Sequence, residues 1–74
     1  MERSTLEQHL TQVFERVSEG ERRISAQRNR VKLLKKDSRD SAIARKLLAE
    51  IEAKQAMHVA YRDQLWKELV VTSR

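Results

Sequence analysis

The side chains best suited to acid–base chemistry in this chain are its two histidines, His9 and His58. Arg62 follows His58 by four residues and therefore shares its face of a helix, whereas Asp63 is expected to point elsewhere. One interpretation is a polar site, or a switch that responds to protonation of the histidine. The other, which we favour, is a polar layer that fixes the register of packed helices and comprises Gln55, His58 and Arg62.

Motifs for catalysis or cofactor binding are missing from the sequence. The two histidines lie far apart and near no cysteine, which is not the spacing of metal ligands. Gly20 stands alone, so there is no glycine-rich phosphate loop, and a serine nucleophile would need a pocket that a thin helical protein does not offer. We therefore predict no catalytic residue, metal, cofactor or small-molecule substrate.

Positive charge is concentrated in residues 22–46, which contain ten Lys or Arg and two Asp, a net charge of +8. The remainder contains six basic and nine acidic residues, a net charge of −3. Such a field attracts anionic partners, whether an acidic protein surface or nucleic acid. The candidate anion-binding residues are Arg22, Arg23, Arg28, Arg30, Lys32, Lys35, Lys36, Arg39, Arg45 and Lys46.

The basic segment does not form one stripe, because its side chains point around most of a helix. No aromatic residue lies among them for base stacking, since Phe14, Tyr61 and Trp66 all fall outside the segment. A solvated surface is the main alternative to a binding site. Membrane-surface binding is less favoured, since no face is both basic and richly apolar.

The composition favours long helices and a single small domain. The 74 residues include no proline, one glycine, three aromatic residues and 36% charged residues. No apolar run is longer than three residues, as at Leu69–Val71, which is too short for a membrane span, and the N-terminus does not resemble a signal peptide. Because the chain has no cysteine, we expect a reducing compartment, the cytoplasm.

The apolar spacing predicts an all-α fold, a two-helix antiparallel coiled-coil hairpin. From Leu6 to Leu34 apolar residues recur at alternating steps of four and three, interrupted only by Gly20 and Gln27. The first helix should span about residues 4–36, with Ser4 or Thr5 as N-cap. A turn at about 37–40 and a second helix at about 41–72 follow, with Asp40 or Ser41 as N-cap.

Gly20 lies on the seam between the helices. If the turn is centred near residue 38, Gly20 faces the region of Gln55 and His58. Glycine inside an exposed helix costs about 1 kcal/mol relative to alanine. Because this glycine lies on the seam, we predict that it allows a bulky group to approach the backbone; the alternative is a tolerated weakness or a slight bend.

Two helices alone cannot cover all of the apolar side chains. We therefore expect a second copy to complete a dimeric four-helix bundle. The predicted self-interface comprises Leu10, Phe14, Val17, Ile24, Leu47, Leu48, Ile51, Leu65, Trp66 and Leu69.

The residues His9-Leu10, Val17 to Arg22, Ile24, Gln27, Leu34, Asp40-Ser41, Leu47-Leu48, His58, Arg62-Asp63 and Leu65 together resemble a group of short, uncharacterised bacterial proteins. The resemblance implies a bacterial cytosolic helical hairpin and specifies no activity. This sequence differs from those proteins at the turn, where Ser38 stands in place of an expected glycine C-cap.

The function that these observations favour is a non-catalytic protein-interaction module that self-associates. A small nucleic-acid-associated protein using the basic segment is the first alternative. An accessory to a bacterial signalling or regulatory protein is the second.

Overall fold

The computed structural model describes residues 2–72 and contains two α-helices, α1 (Arg3–Leu33) and α2 (Arg39–Thr72). They pack against each other along their length in antiparallel fashion, so that Leu6 meets Leu69 near the termini and Gln27 meets Ala44 near the turn. No strand occurs in the described part of the chain. The predicted all-helical hairpin is therefore confirmed.

The best-packed part of the hairpin lies at the end that carries both termini. Leu6, Leu10 and Val13 of α1 form a buried cluster with Leu65 of α2, and Leu69 packs against it. Val17 and, nearer the turn, Ala44 complete the buried apolar residues within 2–72. These positions follow the three–four spacing of a coiled coil, which explains why both helices turn one continuous stripe inward.

The first helix differs from the prediction at both ends. It begins without a side-chain cap after Glu2, so the predicted capping by Ser4 or Thr5 is wrong. It also ends at Leu33, about three residues early, because Leu34 adopts an extended backbone with φ −91° and ψ 148°. The Leu34 amide donates to the Val31 carbonyl at 3.3 Å, which closes the last turn.

The second helix starts two residues before the predicted position, and Ser38 caps it. The Ser41 amide donates to the Ser38 hydroxyl at 3.0 Å, and that hydroxyl donates to the Lys35 carbonyl at 2.7 Å. Capping by Asp40 or Ser41 was therefore a wrong prediction. Ser41 instead has a side chain 2% exposed, packed against the first helix at the start of the seam.

Arg45 fastens the turn. Its Nη2 donates to the Lys36 carbonyl at 3.0 Å, and its Nε lies 3.4 Å from the Ser41 carbonyl. These contacts hold the connecting segment against the first turn of α2. Within the described residues no backbone has a positive φ, so the reversal needs no glycine, and Ser38 replaces the expected glycine without strain.

The hairpin is a thin rod of 54 × 14 × 14 Å. Its radius of gyration is 16.6 Å, whereas a compact chain of this length would have about 11 Å. Its accessible surface is 6017 Å², compared with about 4,700 Å² for a folded monomer of this mass. The thin shape therefore leaves much surface in water, and nine large apolar side chains within residues 2–72 are exposed.

Candidate interaction surfaces

Gly20 and Gln55 meet where the two helices approach each other closely. A Cβ placed on Gly20 would lie 2.7 Å from Cδ of Gln55 and closer still to its Oε1. The prediction that Gly20 allows close approach of a bulky group is thereby confirmed. A side chain at this position would have to displace the carboxamide.

Two glutamines tie the helices together through backbone carbonyls. Gln55 Nε2 donates across to the Val17 carbonyl at 2.8 Å, and Gln27 Nε2 donates in the opposite direction to the Ala44 carbonyl at 2.9 Å. Both contacts are partly buried, and each anchors one helix to a fixed level of the other. Gln27 appeared in the sequence only as an interruption of the seam, because periodicity does not show whether a polar side chain reaches a partner.

The predicted polar layer divides into three environments. Gln55 joins the helices, whereas His58 is partly buried and its imidazole makes no hydrogen bond within residues 2–72. Arg62 stacks over Phe14, with its Cζ 5.9 Å from the ring centroid. Its guanidinium also pairs with Asp63 at 3.1 Å, which corrects the expectation that Asp63 would point away. The three side chains thus do not form one connected site.

The other histidine, His9, lies partly buried on α1 beside the terminal core. Its Nδ1 is shielded from solvent and has no hydrogen-bond partner in the described part of the chain. His58 lies with Gly20 at the middle of the hairpin, so the two histidines do not form one site. No group of three or more potential metal-ligating side chains converges within residues 2–72.

An open hollow of about 580 Å³ lies along one side of the hairpin, near its middle. Apolar side chains of Leu47 and Ile51 form part of its floor together with Gly20, and a pair between Arg23 and Glu19, 3.5 Å apart, lies on its rim. Because acidic and basic groups alternate around it, the hollow has no single charge preference. It suits a packing surface better than a substrate pocket.

The ten predicted self-interface residues fall into three groups. Leu10, Val17 and Leu65 are buried between the two helices of the same chain. Phe14, Leu47 and Trp66 are exposed. The partly buried members are Ile24, Leu48, Ile51 and Leu69. Periodicity alone could not separate residues that pack within the hairpin from residues left on its outside.

One exposed apolar surface, here called the aromatic flank, consists of Phe14, Val59, Trp66 and Val70. Phe14, Trp66 and Val70 are 46%, 52% and 42% exposed, and Val59 is partly buried. The three α2 residues share a face because they are spaced by seven and four. Phe14 joins them across the helix pair through its contact with Arg62, which is one turn from Trp66. The flank lies in the half of the hairpin that carries the termini.

The opposite flank carries Ile43, Leu47, Met57 and Tyr61, which are between 42% and 72% exposed. At helical spacing, however, Glu50 and Lys54 interrupt this row at its centre. The apolar surface there is split in two. On the aromatic flank, Asp63 lies between Val59 and Trp66 at the same spacing, but it is a single interruption and its carboxylate pairs with Arg62. The aromatic flank is therefore the less interrupted of the two surfaces.

The basic half of the hairpin keeps most of its charge unpaired. Arg23 pairs with Glu19, and Arg45 is engaged by backbone carbonyls of the turn. Within residues 2–72 the other eight predicted anion-binding residues form no ion pair: Arg22, Arg28, Arg30, Lys32, Lys35, Lys36, Arg39 and Lys46. All eight are exposed.

No protein-family model, curated protein or solved structure matches the chain. The resemblance to bacterial helical-hairpin proteins therefore stays a prediction. Neither described helix has an apolar stretch long enough to cross a membrane.

Proposed function

We propose that this protein is a non-catalytic assembly module that forms a homodimer, a four-helix bundle, through the aromatic flank. Exposure of this flank is the observation that carries the proposal. Phe14 and Trp66 each leave about half of their surface in water although they lie side by side with Val70. The absence of cysteine suits a reducing compartment such as the cytoplasm.

The surface area of the hairpin supports the same proposal. The excess of accessible surface over a compact monomer is roughly 1,300 Å² for each hairpin, more than the roughly 800 Å² that each partner buries in a standard specific interface. Aromatic residues at the centre of an interface contribute most of its binding energy. Covering the aromatic flank with a second copy places Phe14 and Trp66 in that position.

Sedimentation equilibrium from 1 to 100 μM protein, a range of roughly 5 to 8 kcal/mol in binding free energy, tests the proposal. We expect a dimer for the natural sequence and a monomer for Trp66→Ser. Met57→Ser is the matched control, because Met57 is 72% exposed on the opposite flank. A monomer throughout this range would overturn the proposal.

The unpaired basic residues favour a second candidate function, binding to the phosphate backbone of nucleic acid. Within residues 2–72 eight exposed cations have no acidic partner, and those that lie on one side of the rod can contact phosphates of the same duplex and release counterions. Binding of this kind would follow shape and charge rather than base sequence.

Fluorescence anisotropy with a labelled DNA duplex over a salt series tests this second candidate. We expect the logarithm of the binding constant to fall steeply and linearly with the logarithm of salt concentration. Lys32→Gln combined with Lys36→Gln should reduce the slope, whereas Lys54→Gln and Lys67→Gln, outside residues 22–46, should not. No binding at 50 mM salt would exclude it and leave an acidic protein, captured by pull-down from a bacterial lysate, as the alternative partner.

A further inference from the structure

We infer that two hairpins associate tail to tail, with their terminal halves overlapping in antiparallel fashion and their basic turn ends pointing in opposite directions. This inference rests on the proposed homodimer and specifies its geometry. The occupant of the aromatic flank is thus the same flank of a second copy. Three arrangements of two rods are possible, and apolar placement and charge separate them.

The first arrangement is parallel, with each level of one hairpin beside the same level of its partner. It would bring together the two aromatic flanks, but also two turn ends of net charge +8 each. Those charges lie on a rod only 14 Å thick, and a Debye length of about 8 Å at physiological salt screens them incompletely. Like charges at an interface oppose this arrangement.

The second arrangement is antiparallel with full overlap of the rods. It separates the turn ends, but it places the aromatic flank of each copy against the basic half of the other. Trp66 would then face the level of Arg28 and Arg45, and Phe14 the level of Arg23, rather than another apolar surface. The apolar side chains would stay poorly covered.

The tail-to-tail arrangement satisfies both requirements, because the aromatic flank is self-complementary about its own centre. In the core Leu10 of α1 and Leu65 of α2 meet, so Trp66 lies close to the level of Leu10. Phe14 lies to one side of that level and Val70 to the other. A two-fold axis there places Phe14 at the level of the partner's Val70 and brings the two copies of Trp66 together.

The charges of the terminal half permit this overlap. The ion pairs in this half are local, Arg3 with Glu7 at 3.2 Å and Arg62 with Asp63 at 3.1 Å. Neighbouring charges on the flank are thus of mixed sign. The contact would extend over roughly 22 Å, or about 15 residues of each helix. This is a small interface, so we expect a micromolar rather than nanomolar dissociation constant.

Three exposed positions on one face of α1 allow the geometry to be tested directly. Thr11, Ser18 and Ser25 are spaced by seven residues, and Thr11 lies one turn from Phe14 on the same side. Since the protein contains no cysteine, Thr11→Cys, Ser18→Cys and Ser25→Cys each introduce a single thiol. Each can be treated with a short bis-maleimide, after sedimentation has established the dimer.

The tail-to-tail dimer should cross-link efficiently through position 11 only. Moving the cysteine by seven residues shifts each thiol about 10 Å along its helix in opposite directions. The two thiols of the dimer are then about 20 Å further apart, beyond the reach of a short linker. Cross-linking mainly at position 18 would indicate full antiparallel overlap, and equal cross-linking at all three positions would indicate the parallel dimer. Either result would overturn the inference, and so would a dimer that cross-links at none of them.

Small-angle X-ray scattering provides an independent readout on the natural sequence. The tail-to-tail dimer should have a maximum dimension of about 80 Å at 1.5 Å per residue, whereas side-by-side hairpins would keep the 54 Å length of one. A dimer of about the length of a single hairpin would contradict the inference while leaving the proposed self-association intact. A monomeric protein would instead refute the proposed function itself.

Discussion

Gly20 and Gln55 fit together across the helix pair: the carboxamide of Gln55 fills the space that a side chain at position 20 would need. The same carboxamide donates to the Val17 carbonyl at 2.8 Å, one turn before the glycine. Its Oε1 is buried and has no hydrogen-bond partner within residues 2–72. The pair therefore combines a steric fit with one interhelical hydrogen bond, and its members should be coupled energetically.

A double-mutant cycle measures that coupling. Gly20→Ala gains about 1 kcal/mol of helix propensity but forces Gln55 to move, losing a hydrogen bond worth about 1 kcal/mol. We expect little net change in the free energy of unfolding. In a Gln55→Ala background, Gly20→Ala should raise the free energy of unfolding by about 1 kcal/mol, the full difference in helix propensity between glycine and alanine. Urea denaturation followed by circular dichroism gives both values, and purely additive effects would show that the two residues are independent.

Replacing His58 with leucine should stabilise the hairpin. His58 is partly buried on the seam and its imidazole makes no hydrogen bond within residues 2–72, so an apolar side chain loses no partner there. We expect a gain of about 1 kcal/mol in the free energy of unfolding and less uniform association, because one polar member of the seam is removed. Gln55→Leu is the contrasting variant, since it breaks a hydrogen bond. Loss of folding in His58→Leu would argue that the histidine has a structural partner.

Ser38→Ala should destabilise the protein by about 1 kcal/mol, because the Ser41 amide loses its capping acceptor. Ser4→Ala is the matched control. Ser4 is exposed inside the first turn of α1 and caps nothing, so its replacement should change the free energy of unfolding by less than about 0.5 kcal/mol. Equal effects of the two substitutions would contradict the assignment of Ser38 as the cap.

Arg45 and Lys46 are neighbours with the same charge, but we expect only Arg45 to contribute to the free energy of unfolding. Arg45→Gln removes the donors to the Lys36 and Ser41 carbonyls, and we expect it to cost about 1 kcal/mol. Lys46→Gln removes the same charge without a hydrogen bond and should be close to neutral. Thermal unfolding separates the two variants. If the second candidate function holds, both should weaken DNA binding similarly, and that outcome can be read from the same anisotropy assay.

Trp66 reports on association without any label. It is the single tryptophan, and 52% of its surface is exposed in one hairpin. Burial of its indole between two copies should shift its emission to shorter wavelength as protein concentration rises. The Phe14→Ala variant should lose this shift while retaining its helical circular dichroism. An emission maximum independent of concentration, in a protein shown to dimerise, would place the interface elsewhere.

The hairpin could be predicted because apolar residues recur in the sequence at the spacing of a coiled coil. The seam from Leu6 to Leu34 specified one helix face, and its only glycine fell opposite Gln55, where a small residue is needed. The end of α1 was not predictable from this pattern. Leu34 continues the seam, yet it leaves the helix, since Ser38 and Arg45 organise the turn through hydrogen bonds that depend on side-chain conformation.

Periodicity also could not predict which apolar residues are buried within the hairpin and which are exposed on its surface. Leu65 and Trp66 are adjacent in sequence, and both belong to the predicted self-interface. One is 2% exposed and the other 52%. The difference depends on how far α2 is rotated toward α1, an angle fixed by packing partners such as Leu10 and by the contacts of Gln27 and Gln55.

The placement of the buried cluster at the end farthest from the turn has a consequence for how the chain folds. Leu6 and Leu65 are separated by most of the sequence, so forming their contact closes a long loop before the best packing is gained. Contacts near the turn close short loops but bury little apart from Ser41 and Ala44. If contacts form first at the turn and then progressively toward the termini, the largest stabilisation is gained last. This order favours cooperative folding over a stable half-formed hairpin.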